Sequence, residues 1–231
     1  TSEGTGAGVL FIRSSQGSSP YTGPTVFLWN DGQIKFRLRG DDTLALPAGT
    51  VSSWADWADL RFVYEATANK LQVFVNGEEK GSRTLTKTAD PSHITGAPLR
   101  FGANHVNTSV QNLNAKIKDL AISGFGEAAV FPEALRETAS DPTTPMSSLK
   151  LWLDASNINA NNNSGIDDGD LISEWIDLSG NGNHGSQSDN AQKPILEDES
   201  GKKSIHFDGS NDYLKLSKAT HLGETDFTVI I

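Results

Sequence analysis

The chain contains no cysteine. Disulfides, thiolate metal sites and cysteine nucleophiles are therefore excluded. Animal extracellular modules often carry disulfides, so this absence leans towards a prokaryotic or viral origin. No apolar run approaches the length that crosses a bilayer as a helix, and no secretory leader pattern is visible. Positive charge is scarce: 19 Lys and Arg stand against 29 Asp and Glu, a formal net charge of −10. A broad basic surface for nucleic acid is thereby disfavoured, as is adsorption to anionic membrane. Catalytic patterns are missing as well. His93, His105, His184, His206 and His221 show no H-x-x-x-H spacing, there is no G-x-S-x-G, and no glycine loop is suited to phosphate. Thr1 and the strand-like stretch 228–231 at the two ends suggest a processed chain or a piece of something longer.

What the chain does have is turns. It holds 22 glycines and abundant Asn, Asp, Ser and Thr, and 36% of its residues are hydrophobic. That is the composition of many short strands with tight connections. From Trp54 to Gly77 the pattern is most regular. Leu60, Phe62 and Tyr64 alternate with Arg61, Val63 and Glu65; after Ala66-Thr67-Ala68-Asn69, Leu71, Val73 and Val75 alternate with Gln72, Phe74 and Asn76. A period of two predicts a half-buried antiparallel hairpin, and Asn76-Gly77 supplies the positive φ angles of the next turn. Before it, 9–13 reads as a strand, and 25–29 and 33–38 read as a hairpin over Asn30-Asp31-Gly32. Lys35, Arg37 and Arg39 would form a basic outer stripe, either a solvated sheet face or a face for sugar or a partner. After it, 98–102 and 115–123 read as strands. Pro132 to Glu137 suits a short helical turn, and 136–148, with Asp141-Pro142-Thr143-Thr144-Pro145, reads as a stiff linker.

Four motifs then follow in order: Leu151-Trp152-Leu153-Asp154-Ala155, Trp175-Ile176-Asp177-Leu178-Ser179-Gly180-Asn181-Gly182-Asn183, Phe207-Asp208-Gly209-Ser210-Asn211-Asp212-Tyr213-Leu214 and Phe227-Thr228-Val229. They are similar to the opening of laminin G-like, concanavalin A-like jelly-roll domains. The central hairpin, Pro98-Leu99-Arg100-Phe101-Gly102 and the strand 115–123 resemble the later part of the same family, although Ala115 stands where a glycine is common. The resemblance implies an all-β fold, an antiparallel jelly-roll β-sandwich. The order is unusual, since the family's end (1–135) precedes its beginning (149–231). Three readings stay open: a window across tandem repeats, a permuted domain closing on itself, or opening strands donated to a neighbouring copy.

Candidate sites are few. The stretch 159–170 can be laid on the EF-type calcium loop, with Asn159, Asn161 and Asn163 at the first three ligand positions, then the Gly165 carbonyl, Asp167 and Asp170. The fit is partial, because Ser164 replaces the usual glycine and Asp170 is short for bidentate ligation. The alternative is a polar loop whose asparagines stabilise turns. The resemblance implies that the SGNGN and DGSND turns brace the sandwich or, with Asp119 as the analogue of a closing-strand aspartate, hold a structural calcium; turn chemistry alone is the simpler account. Of five tryptophans, Trp152, Trp175 and Trp57 default to core packing. Trp29 at a hairpin tip and Trp54 in a loop are better placed to stack on a sugar. His206 should point outward from a strand, and His184 should bond locally. Paired carboxylates in the E-x-D-x-x-E manner of related glucanases are absent, and Glu197-Asp198-Glu199 reads as loop.

These signals point to a non-catalytic carbohydrate-binding or adhesion module, with calcium as a candidate cofactor and a glycan or surface protein as partner. Its setting would be extracellular, on a cell surface or on a virion. The competing reading is a structural subunit of a filament, fibre or capsid, assembled from identical chains by strand exchange.

Overall fold

The computed structural model describes residues 7–13, 23–39, 42–86, 99–102, 112–124, 149–216 and 227–231. The expected helical turn at Pro132 and the linker 136–148 lie outside them. The regular secondary structure of the described residues is almost entirely strand: β1 (Ala7–Arg13), β2 (Thr25–Trp29), β3 (Ile34–Arg39), β4 (Asp42–Leu46), β5 (Leu60–Glu65), β6 (Lys70–Val75), β7 (Glu78–Thr84), β8 (Leu99–Phe101), β9 (Asn114–Ile117) and β10 (Asp119–Gly124) in the first stretch. The second contributes β11 (Leu149–Asp154), β12 (Glu174–Trp175), β13 (Gly185–Ser186), β14 (Ile195–Glu199), β15 (Lys202–Asp208), β16 (Leu214–Leu216) and β17 (Phe227–Ile230).

They build three antiparallel sheets, ordered β12-β13-β16-β8-β1-β2-β3-β4, β11-β10-β17-β5-β6-β7 and β14-β15-β9. Every sheet contains strands from both stretches. β17 lies between β10 and β5, pairing Val229 with Ile122 on one side and Phe62 on the other. The two larger sheets form the sandwich, and their inner faces meet at aromatic contacts. Phe36 of β3 packs edge-on against Phe62 of β5 at 5.6 Å and Phe227 of β17 at 6.2 Å. A single large core cluster includes residues of both stretches, from Leu10 to Val229.

The central hairpin forms as its periodicity predicts. Leu60, Phe62, Tyr64, Leu71, Val73 and Val75 are buried, and Asn76 and Gly77 take φ of 51° and 80°. Two expectations change. The strand 115–123 divides at Lys118: β9 pairs with β15 in the small sheet, while β10 pairs with β11 and β17. One run of sequence thus serves two layers, a corner that alternation alone does not encode. The basic stripe is not uniformly solvated either. Arg37 is only 8% exposed, with its guanidinium 5.2 Å from the Phe27 ring. An apolar stem and a flat cation cover an aromatic face well, which is how an arginine becomes buried on a sheet surface.

Two glycines of the family-like motifs are required by close approach. Gly102 has φ +95°, and a Cβ there would lie 2.4 Å from Phe207 Cδ1. Gly209 has φ +79°, and its Cβ would press on the Asn114 side chain at 2.8 Å. Both positions join the first stretch to the second. The described residues contain no helix long and apolar enough to cross a membrane.

Candidate functional site

A cleft of about 820 Å³ opens where β1, β2, β9 and β15 approach the loop before β5. Its apolar lining is supplied by core residues such as Leu10, Leu28, Leu60 and Ile117. Two groups of side chains with chemical character also line it.

The first group is aromatic: Trp29, Trp54 and Trp57. Trp29 ends β2, where the chain turns through Asn30, Asp31 and Gly32. The Trp54 indole Nε1 donates to the Trp29 carbonyl at 2.8 Å, which fixes the Trp54 ring beside the hairpin end. Trp54 is 37% exposed and Trp57 49%. Large aromatic surface left in water at a concavity is uncommon in a folded domain and is characteristic of binding surfaces. The structure therefore brings together the two tryptophans singled out in the sequence and adds Trp57. Its default assignment to the core is corrected. Trp57 follows Trp54 in a segment without strand pairing, so alternation carried no information about its side-chain direction. Trp152 and Trp175 are buried, as expected.

The second group is ionised. Lys116 of β9 stands opposite His206 of β15 in the ladder, and Asn114 stands opposite Asp208. Lys116 Nζ lies 2.5 Å from both Glu197 Oε2 and Glu199 Oε1, and His206 Nδ1 lies 2.6 Å from Glu197 Oε1. Glu197 and Glu199 do not lie in a loop. They occupy β14, two residues apart on one face, where period-two geometry aims both at the same cation. The short β14–β15 ladder was hidden in the sequence because its side chains are mostly polar. Lys116 is held above the ordinary lysine range by its hydrogen bonds to Glu197 and then Glu199. Glu197 is held below the ordinary glutamate range, first by the Lys116 bond, which outweighs burial, with His206 adding to the effect. Lys116, Glu199, His206 and Asp208 line the cleft, joined by the amides of Asn112 and Asn114. His206 thus points outward from its strand.

The asparagine loop lies elsewhere, and none of its residues lines the cleft. Asn159 Oδ1 accepts from the Asn161 and Asn163 amides, and its Nδ2 donates to the Ser164 carbonyl. Asn163 is buried; its Oδ1 accepts from Ile158 N at 2.6 Å and its Nδ2 donates to the Ala155 carbonyl. Asp170 Oδ2 accepts from the Asp167 amide. Asn162, Asn163, Gly165 and Gly169 all have positive φ, which asparagine and glycine tolerate best. The SGNGN turn works in the same way. Asp177 accepts from the Trp152, Ser179 and Asn183 amides, while Asn181 and Asn183 donate to the carbonyls of Leu149 and Lys150. His184 Nδ1 accepts from the Asp177 amide, a local bond as expected.

Two antiparallel sheets packed face to face make this a β-sandwich of the jelly-roll class. The family model described as concanavalin A-like lectin/glucanases superfamily matches residues 1–125. The chain belongs to that superfamily. No curated protein and no solved structure matches it.

Proposed function

We propose that this domain is a non-catalytic carbohydrate-binding module that holds a glycan in the cleft, in an extracellular, cell-surface or virion-surface setting. The observation that carries the reading is the pairing of exposed Trp54 and Trp57 with the open amide and carboxylate groups around β9 and β15. Flat indole faces suit the apolar faces of pyranose rings, and amides and carboxylates suit their hydroxyls. The non-catalytic part rests on the sequence, which lacks the E-x-D-x-x-E carboxylate pattern of related glucanases. Calcium bound by the loop of Asn159, Asn161, Asn163, Gly165, Asp167 and Asp170 would brace the fold rather than touch the ligand, since none of these residues lines the cleft.

A glycan array, followed by calorimetry on the best oligosaccharide, tests the reading. Binding that weakens about thirtyfold in Trp54→Ala is the expected result. Detectable turnover of a bound polysaccharide would overturn the non-catalytic part. Concentration-dependent polymers with no glycan binding would favour the structural-subunit reading.

A further inference from the structure

Resting on that reading, we propose that the cleft selects a glycan carrying free amino groups, a glucosamine-type chain, and disfavours acidic glycans. The argument is the charge left over along the lining. Asp56, Glu199 and Asp208 present three carboxylates to the cleft, and Lys116 is the one lysine or arginine among its described lining residues. The charge of Lys116 is already met, because Glu197 and Glu199 both sit 2.5 Å from its ammonium. His206 also turns Nδ1 to Glu197 rather than to the opening. Lys116 is shared between Glu197 and Glu199, so these two glutamates keep one negative charge beyond what it offsets, and Asp56 and Asp208 add two more along the lining. Glu199 is 63% exposed. Asp208 accepts one backbone bond from Ser210 N and is otherwise exposed. A bound ammonium would find both these carboxylates and indole faces, to which cations are attracted. A sulfated or uronic chain would bring like charge against them, a contact that rejects wrong partners. The tryptophans favour a sugar over a basic peptide, since Trp54 is held by its bond to the Trp29 carbonyl as a fixed platform for a ring.

The test compares a glucosamine hexamer, its fully N-acetylated counterpart, a uronic-acid hexamer and a hexalysine by calorimetry at about pH 5.5, where the amino sugar is charged. The glucosamine hexamer should bind about tenfold tighter than the acetylated one, the uronic chain not detectably, and about 0.5 M NaCl should erase the advantage. Glu199→Gln and Asp56→Asn, both exposed changes, should each reduce the preference, while Trp54→Ala should weaken both neutral and charged hexamers. Equal or tighter binding of the acetylated hexamer overturns the amino-sugar selection and leaves the carbohydrate module standing. Hexalysine binding as tightly as the amino sugar overturns it in favour of a basic peptide. Binding of none of the sugars overturns both readings.

Discussion

The asparagine loop 159–170 and the tryptophan cleft are both rich in polar side chains, yet they use them in opposite ways. In the loop, Asn159, Asn163 and Asp170 turn their oxygens back onto amides of the same segment. In the cleft, Asn114, Glu199 and Asp208 line an opening beside indoles that remain in water. Polar groups that satisfy their own backbone stabilise a turn. Polar groups displayed beside exposed aromatic surface are available to a ligand. Polar content is high in both regions, and their hydrogen bonds and the exposed indoles of the cleft separate them.

The sharpest way to break this contrast is to remove one buried staple. Asn163→Ala leaves the Ile158 amide and the Ala155 carbonyl without their partner and places alanine at a φ of 58°. The expected loss is about 2–4 kcal/mol of stability in urea unfolding, with ligand affinity in the cleft unchanged. A variant as stable as the parent would mean that the loop does not staple the fold. Trp54→Ala should do the reverse. Affinity should fall about thirtyfold, roughly 2 kcal/mol, while stability falls by no more than about 1 kcal/mol for the exposed bond to Trp29. Similar losses in both readouts would erase the distinction.

A smaller effect concerns the ion pairs at the cleft. Because Glu197 is held below its ordinary range by Lys116, its ionised form favours folding. That contribution is complete above about pH 4.3 and disappears as pH falls through the lowered value. Glu197→Gln should therefore cost about 0.5–1 kcal/mol at neutral pH, with the difference closing as pH falls below the ordinary glutamate range in unfolding curves followed against pH. A constant difference across that range would show that packing, not charge, is responsible. The smallest effect is expected from chelation. If calcium enters the asparagine loop, EDTA lowers the melting temperature and leaves glycan affinity unchanged. A chelator-sensitive affinity would tie the two regions together after all.

Parts of this architecture were legible without coordinates. The alternation of 60–75 and the Asn76-Gly77 turn dictated the central hairpin, because a period of two has one physical meaning on a half-buried sheet. Trp29 and Trp54 could be marked from their turn and loop positions. Trp57, Glu197, Glu199 and Lys116 could not be placed in one site, because their convergence depends on pairing β9 with β15 and β15 with β14. β9 lies far from β14 and β15 in the chain. No local spacing reports that Lys116 will meet two glutamates more than eighty residues away.

The sequence by itself determined that this is an all-β chain with jelly-roll motifs, since side-chain alternation and turn residues are local instructions. Tertiary structure decided the rest. It inserted β17 between β10 and β5, split one predicted strand between two sheets, and set exposed indoles beside a row of ionised groups. Those outcomes arise from long-range burial and hydrogen-bond pairing, whose partners are fixed only when apolar faces from both ends of the chain close on a common core.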